Sequence, residues 1–300
     1  MSKDDVLYDR DALGFLRERE ASWVQGNQVP TSCDAVVIGS GIAGLTAAAI
    51  LPKAGLDIVV FEAQPRPGGY LSGFERKDFI FDTAIQWLNQ CQPGGFVYRL
   101  FDYLGDDFPK CNPVTRLRRY KGDSFDYLLT TNPLKLRDRL IEDFPDDANG
   151  IKRFFKDIEV LGARLKVLND RMWALETMSL FEKAVYGSKM LHWVLPVWKH
   201  LKISAEKGLK RYFNSQGIKN LFCSEETFMS VVVPIGWGFI GDFQAPPKGG
   251  SQAFVLQLCK NIESAGSKIF FNHRVKSVLL NDKNKAIGVS LEEGNSKNSR

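Results

Sequence analysis

Three glycines and one acid carry the pattern in this chain that is best suited to hold a dinucleotide. They are Gly39, Gly41 and Gly44 in G-x-G-x-x-G spacing, with Glu62 about twenty residues further on. The first glycine allows a sharp turn, and the second lets the backbone approach a pyrophosphate. The third lets the following helix pack closely on its strand. Glu62 is placed to accept hydrogen bonds from ribose hydroxyl groups.

The elements around these residues are predicted to form a strand, a helix and a second strand. The apolar run 35–38 is typical of a strand buried on both faces of a parallel sheet. A helix follows the glycine turn, with Gly55 as its C-terminal cap, and 58–61 is the second strand. The unpaired N–H groups at the helix start favour phosphate binding. The context therefore predicts a dinucleotide-binding α/β unit.

Composition excludes several classes of protein. The 300 residues are 44% hydrophobic, enough for one large core or two modest ones. The net charge of +5 is interspersed, so nucleic acid is not implied. Five scattered cysteines and three histidines show no metal-ligand spacing and no C-x-x-C, which favours a reducing compartment. The start is charged, and no run of 18 apolar residues exists, so we expect a cytoplasmic protein that is at most peripheral on a membrane.

The middle of the chain has a different pattern. A hairpin is predicted within 115–129, and helical periodicity runs through 133–230. The segment 172–201 is rich in aromatic residues and flanked by lysines. It fits a core helix pair broken at Pro196 better than an interfacial membrane patch, although both stay open. The apolar segment 230–241 either lines a ligand cavity or is core.

The end of the chain returns to α/β character. A helix over 252–265 leads to a strand at 269–271, which we expect to join the first parallel sheet. A hairpin is predicted over 275–291. Before the first strand, an amphipathic helix is predicted over 12–24.

A second glycine pair follows Glu62 within a few residues. Together with Pro247-Lys248-Gly249-Gly250 and Arg274-Val275-x-x-Val278, it resembles the phytoene desaturase, carotenoid isomerase and retinol saturase group of FAD-dependent oxidoreductases in the amine oxidase superfamily. The resemblance covers about 34–90 and 245–291. It implies FAD as cofactor, with the adenine contacted by the backbone of Val275. The residues that it implies for the cofactor site are Gly39, Gly41, Ile42, Ala43, Gly44, Glu62, Ala63, Gly68, Gly69 and Val275.

The same resemblance implies an architecture. We expect an α/β, FAD-binding Rossmann-like domain of the glutathione-reductase type with a mixed, largely helical substrate domain inserted. The boundaries would be 1–33 for an N-terminal extension, 34–110 and 245–300 for the FAD-binding domain, and 111–244 for the substrate domain. Relatives run on to a further Gly-Asp segment over the flavin, so we expect the 300-residue form to be truncated and to bind FAD weakly or not at all. Asp82 would lie against the flavin ring or, alternatively, bond its own backbone in a turn.

Three functions remain open at this point. The first is an FAD-dependent oxidoreductase or isomerase acting on an apolar polyene, a carotenoid or a retinoid. The second is a flavin amine oxidase, and the third is a lipid or prenyl carrier resembling the Rab GDP-dissociation inhibitors. The expected partner is an apolar small molecule, with peripheral membrane contact open and no nucleic acid. The residue pattern assigns no catalytic residue.

Overall fold

The computed structural model describes residues 28–76, 79–105, 109–169, 175–198, 202–222 and 224–292. The helix predicted over 12–24 lies outside the described residues. The chain divides into two compact units, one from residues 1–112 and 244–300 and the other from residues 113–243.

The described elements are strands and helices in the first unit and are mainly helices in the second. The strands are β1 Ala35–Ile38, β2 Ile58–Phe61, β3 Gly73–Arg76, β4 Phe79–Asp82, β5 Arg116–Lys121, β6 Asp126–Thr130, β7 Lys268–Phe270, β8 Val275–Leu280 and β9 Ala286–Leu291. The helices are α1 Ile42–Ile50, α2 Phe96–Leu104, α3 Pro133–Asp143, α4 Ala148–Asn169, α5 Leu180–Trp198, α6 Ala205–Leu209, α7 Gln216–Leu221, α8 Phe228–Ile240 and α9 Gln252–Ser264.

A three-stranded parallel sheet lies at the centre of the first unit, in the order β1–β2–β7. The register pairs Val37 with Val60, and Val60 with Ile269. The strand after the long helical segment therefore returns to the first sheet, and that prediction is confirmed. Antiparallel pairing of β5 with β6 and of β8 with β9 confirms the two predicted hairpins.

Burial differs between the paired strands β1 and β2. All four residues of β2 are buried, because β2 lies between two neighbouring strands. The expectation that β1 is buried on both faces is wrong, since Ile38 is 54% exposed and the other three residues are half-buried. Among the described strands β1 pairs only with β2, so its other edge is open.

Two helices cover one face of this sheet. Leu45 and Ala48 of α1 share an apolar core with Val255 and Leu258 of α9 and with Val60 of β2. The helix after the turn is shorter than predicted, because it tightens at Pro52 into a 3₁₀ turn, Leu51–Ala54. Proline has no N–H to continue the α-helical bonding. Gly55 then closes the turn at φ +81°, as predicted.

The opposite face of the sheet packs against the β8–β9 hairpin. Phe61 and Phe270 form a small apolar cluster with Val275 and Leu291. A cavity of about 730 Å³ lies beside this cluster, between the sheet, the segment before β1 and the hairpin. Several apolar residues of the hairpin remain exposed, among them Leu280 and Ile287.

The second unit has its own core, which is rich in aromatic residues. Phe154 of α4 lies 5.0 Å, between ring centroids, from Phe213. Helices α4 and α8 approach closely, because a Cβ on Gly162 would lie 2.5 Å from the carbonyl oxygen of Gly236. Helix α8 covers most of the apolar segment 230–241, and its Val231 and Ile235 belong to the core. For this segment the core alternative is therefore the one that the structure shows.

Helix α5 departs from the prediction of a core helix pair broken at Pro196. It is one helix, and Pro196 lies in its last turn. Five of its large apolar side chains are exposed rather than buried. None of the helices in the described ranges is long and apolar enough to cross a membrane.

Candidate cofactor site

The glycine-rich turn joins β1 to α1 and contains two glycines that its own backbone requires. Gly39 has φ +95°, and its N–H donates to the carbonyl oxygen of Phe61 at 2.7 Å. A Cβ on Gly44 would lie 2.1 Å from the carbonyl oxygen of Gly39, so any larger residue would push the helix off the turn. The fold itself therefore explains these two glycines.

Gly41 is different, because no contact within the described part of the chain requires it to be glycine. Its φ is −66°, which any residue adopts, and a Cβ added there would meet no atom within 4 Å. The space in front of Gly41 is open. A ligand group that must approach the backbone closely, such as a pyrophosphate, is what this open space fits.

The start of α1 is equipped to receive an anion. Gly41 is its N-terminal cap residue and supplies no side-chain hydrogen bond, and no acid lies in the first turn. Ile42 and Ala43 are both exposed. The first N–H groups of a helix have no partner within it, and with the helix dipole they favour negative charge.

The second glycine pair lies against the first glycine motif. The N–H of Gly68 donates to the carbonyl oxygen of Ser40 at 2.8 Å, and Gly68 forms a parallel bridge with Gly41. Gly68 and Gly69 have φ +117° and +56°, and a Cβ on Gly69 would lie 3.4 Å from the Cα of Gly41. Two motifs that are separated in sequence thus form one backbone surface without side chains.

Glu62 stands directly after β2, but its carboxylate is turned towards the glycine-rich turn. Oε2 accepts from the N–H and from the hydroxyl of Ser40, both at 2.7 Å, and Oε1 accepts from the N–H of Gln64 at 2.8 Å. Burial would raise the pKa of this carboxyl, but the hydrogen bonds from Ser40, Gln64 and Ala63 outweigh it and lower the pKa. The group is therefore an ionised acceptor at neutral pH, and its contact with a ribose stays a prediction.

Ser40 is a residue that the sequence reasoning missed. It is fully buried between the first two glycines. Its carbonyl oxygen holds Gly68, and its N–H and hydroxyl hold Glu62. The signal in the sequence is a hydroxyl-bearing residue inside the glycine turn, and only the fold shows that it connects three parts of the site.

Val275 lies at the same end of the sheet as Glu62. The segment before it runs alongside the residues that follow β2, because His273 N–H donates to the carbonyl oxygen of Glu62 at 2.8 Å. Asn272 N–H donates to the carbonyl oxygen of Gln64 at 3.2 Å. The side chain of Val275 is half-buried in the cluster with Phe61. The structure thus brings Val275 to the site, and its backbone contact with adenine stays a prediction.

The Pro-Lys-Gly-Gly-Ser segment is fastened to the loop that follows the second glycine pair. Asp82, the last residue of β4, accepts from the N–H of Ser251 at 2.7 Å and also from its hydroxyl. Gly250 has φ +76°, and a Cβ there would lie 2.9 Å from Asp82 Oδ1. The alternative in which Asp82 bonds its own backbone is therefore wrong, because its partner is at the start of α9.

These residues form a site with three properties. It has an open helix start, a backbone surface without side chains and an ionised carboxylate that is hydrogen-bonded to Ser40 of the glycine turn. That combination fits a diphosphate with an attached ribose. In the described ranges, no group of three or more histidine, cysteine or acidic side chains is placed to hold a metal ion.

Comparison with known proteins agrees with this geometry. The model of the family described as flavin containing amine oxidoreductase matches residues 42–300. The inactive all-trans-retinol 13,14-reductase of Danio rerio is 25% identical, with 96% of this chain and 49% of that protein covered. The all-trans-retinol 13,14-reductase of Homo sapiens is 29% identical, covering 89% of this chain and 46% of that protein. The chloroplastic prolycopene isomerase of Daucus carota is 24% identical, covering 98% and 47%. The chain thus spans about half the length of these curated relatives.

Proposed function

This chain belongs to the flavin containing amine oxidoreductase family, its cofactor is FAD, and from that premise we propose an activity on apolar polyenes. The protein would act as an FAD-dependent oxidoreductase or isomerase on a retinoid or a carotenoid. Support comes from the relatives named for retinol reduction and for prolycopene isomerisation. The structural observation that carries the cofactor part of the proposal is the open space at Gly41 beside the Gly68–Gly69 backbone.

We assign the parts of FAD to the site as follows. The diphosphate would lie on the N–H groups of Ile42 and Ala43, in the space at Gly41. Gly68 and Gly69 would let their loop run beside the chain that links diphosphate and flavin ring. The flavin supplies the redox chemistry when it is bound, so the tasks of this chain are binding and orientation.

Glu62 and Val275 would hold the adenosine half of the cofactor. The lowered pKa keeps the Glu62 carboxylate ionised, so it can act only as an acceptor for the ribose hydroxyl groups. Ser40 fixes the position of that carboxylate through two hydrogen bonds. The backbone of Val275, at the same end of the sheet, would contact the adenine. The inserted unit of residues 113–243 would form the substrate domain.

The cofactor assignment is tested by titrating FAD into the purified chain and into two alanine variants. Gly41→Ala fills the open space without meeting protein atoms, and we expect a rise of roughly tenfold or more in the FAD dissociation constant. Gly187→Ala is the matched control, because a Cβ there also meets no atom within 4 Å. Equal affinity in all three proteins would contradict the assignment.

The substrate class is tested with the FAD-loaded protein, which is first reduced and then mixed with all-trans-retinol or a poly-cis carotene. We expect a change in the polyene spectrum and a new polyene product on chromatography. Bleaching of the oxidised flavin by an amine, with no change in either polyene, would favour the amine oxidase instead.

We further propose that helix α5 touches a membrane surface. Its exposed large side chains are Leu180, Phe181, Leu191, Leu195 and Trp198, with exposures between 59% and 86%. At 100° per residue these five positions fall within about a quarter of the helix circumference. Lys183 and Lys189 are exposed on the same helix. An exposed apolar stripe with a tryptophan and lysines suits the interface of an anionic bilayer, where a polyene substrate would dissolve.

Vesicle co-sedimentation tests this contact. Leu195→Asp places a charge in the stripe, and we expect it to reduce binding to vesicles of mixed zwitterionic and anionic lipid several-fold. Val160→Asp is the matched control, because Val160 is an exposed apolar residue on α4. The membrane proposal is wrong if the parent chain does not bind the vesicles. If Leu195→Asp then only converts an oligomer to a monomer, the stripe is a protein interface.

A further inference from the structure

Gln244 joins two segments that each carry a cysteine. Its backbone exchanges two hydrogen bonds with Leu88, at 2.8 and 2.9 Å, and its side-chain oxygen accepts from the N–H of Cys91 at 3.4 Å. The next residue, Ala245, donates its N–H to the carbonyl oxygen of Asn112 at 2.8 Å. Because Cys111 directly precedes Asn112, these bonds bring the two cysteines to one place.

Both side chains contact the same apolar core, which includes residues of α2. Cys91 is buried in that core beside Phe101 and Leu104, and Cys111 packs against it while remaining partly exposed. Each thiol also lies 3.5 Å from a carbonyl oxygen two residues earlier in the chain, that of Asn89 for Cys91 and that of Pro109 for Cys111. Neither sulfur is part of a disulfide in the structure.

The two thiols differ in exposure and in acidity. The neighbouring Cys91 side chain, as a hydrogen-bonding partner, lowers the pKa of Cys111, and burial opposes this only in part. The thiolate is the reactive form of cysteine, and Cys111 is also the more exposed of the two. Cys111 is thus suited to be the nucleophilic cysteine, and the buried Cys91 is suited to be the resolving cysteine.

The other described cysteines lack this arrangement. Burial raises the pKa of Cys33, and the carboxylates of Asp57 and Asp34 raise it further. Cys259 is fully buried in the core between α9 and the sheet. Neither is set up as a nucleophile, so oxidation should select the Cys91 and Cys111 pair.

We propose that Cys91 and Cys111 form a reversible redox-modification site whose oxidant is a peroxide. The Cys111 thiolate attacks one peroxide oxygen, the O–O bond breaks, and water leaves after taking up a proton. Cys111 is then a sulfenic acid. The Cys91 sulfur attacks the Cys111 sulfur, the S–O bond breaks, and a second water leaves with the Cys91 proton. Two thiols and one peroxide thus give one disulfide and two waters, and a dithiol reductant reverses the change by exchange.

The disulfide would close a loop that contains α2. The two cysteines are twenty positions apart (111 minus 91), and α2 with its capping glycine Gly105 lies between them. Cross-linking a loop of this length restricts the unfolded chain and stabilises the folded one. Oxidation should therefore raise the thermal unfolding midpoint, by roughly 5 °C for a chain of this size.

Thiol counting tests the proposal in a Cys223→Ser background, so that only the four described cysteines respond. After one equivalent of hydrogen peroxide we expect two thiols to disappear, with a Cys91–Cys111 cross-linked peptide and a raised unfolding midpoint. Dithiothreitol should reverse all three changes. Cys33→Ser is the matched control and should behave as the parent. A cross-link that joins other cysteines, or no loss of thiols, would overturn the proposal.

Two further variants assign the roles. In Cys91→Ser the resolving thiol is missing, so Cys111 should accumulate as a sulfenic acid that a dimedone probe labels. Cys111→Ser should give no such label and no cross-link. Equal labelling of both variants would show that the pair has no defined nucleophile and would contradict the assigned roles.

Discussion

Asp82 accepts hydrogen bonds from both the N–H and the hydroxyl of Ser251, which lies 169 positions further along the chain. The hydroxyl of Ser251 also lies 3.0 Å from the carbonyl oxygen of Leu71. One serine at the start of α9 therefore fixes both the loop after the Gly68–Gly69 pair and the end of β4. The two halves of the first unit, which the inserted segment separates in sequence, are joined at this point.

Replacing Asp82 should loosen that junction. In Asp82→Ala the N–H of the fully buried Ser251 loses its acceptor, while its hydroxyl keeps the carbonyl oxygen of Leu71, and a buried donor without a partner costs about 1–3 kcal/mol. We expect a fall of that size in the free energy of unfolding, measured by urea titration. Asp282→Asn, at an exposed turn position, is the control and should change little. An unchanged midpoint for Asp82→Ala would show that Ser251 finds another partner.

Alanine at the second and at the third glycine of the motif should affect the free energy of unfolding differently. Gly44→Ala places a Cβ 2.1 Å from the Gly39 carbonyl oxygen, and overpacking of this kind costs about 1–3 kcal/mol. Gly41→Ala meets nothing within 4 Å and should leave stability within about 0.5 kcal/mol of the parent. Thermal unfolding of the two variants, without FAD, measures the difference. If Gly41→Ala is as unstable as Gly44→Ala, then Gly41 serves the fold rather than a ligand.

Glu62 should contribute stability that depends on pH. Its pKa is lowered on folding from the ordinary value of 4.5, so the folded state holds fewer protons than the unfolded state. The contribution is complete above pH 4.5 and is lost as the pH falls through the lower, folded pKa. The stability difference between the parent and Glu62→Gln should therefore shrink as the pH falls below 4.5. Urea titrations at several pH values, with Glu159→Gln as an exposed control, measure it. A difference that does not vary with pH would contradict the bonding to Ser40.

The paired tyrosines of the β5–β6 hairpin offer a matched comparison. Tyr120 and Tyr127 are cross-strand partners and are both 7% exposed. The hydroxyl of Tyr127 donates to Asp143 at 2.7 Å, whereas that of Tyr120 is buried with no hydrogen-bond partner among the described residues. Burial raises the pKa of Tyr120 to about 12. Tyr127→Phe should cost about 0.5–1.5 kcal/mol, and Tyr120→Phe should be neutral or stabilising. Equal losses in urea titrations of both variants would show that the Tyr120 hydroxyl has a partner.

Local patterns predicted the elements well, because neighbours in sequence specify them. The strand at 58–61, the cap at Gly55 and the hairpin at 275–291 depend on apolar runs and on turn residues. For β1 the sequence predicts the correct bounds but the wrong burial. Its apolar run shows that the side chains of the strand are suited to burial. The number of neighbouring strands decides how much of their surface is buried.

Helix α5 shows a second kind of failure. An apolar and aromatic segment usually lies in a core, and that frequency favoured the buried alternative. The chain buries α4 and α8 against one another through Gly162 and Gly236 instead, and it leaves the apolar stripe of α5 exposed. Hydrophobic periodicity predicts which face of a helix is apolar, but not which element packs against that face.

The sequence by itself determined the chemistry that the site can offer: a glycine turn before a helix, an acid after the next strand and a second glycine pair. Only the tertiary structure decided which of these groups meet. It placed Gly41 beside Gly68, turned Glu62 towards Ser40, and joined Asp82 to Ser251. The physical reason is that residue types and short spacings act through local backbone geometry. Contacts between distant segments depend instead on how the whole unit packs, and no short stretch of sequence contains that information.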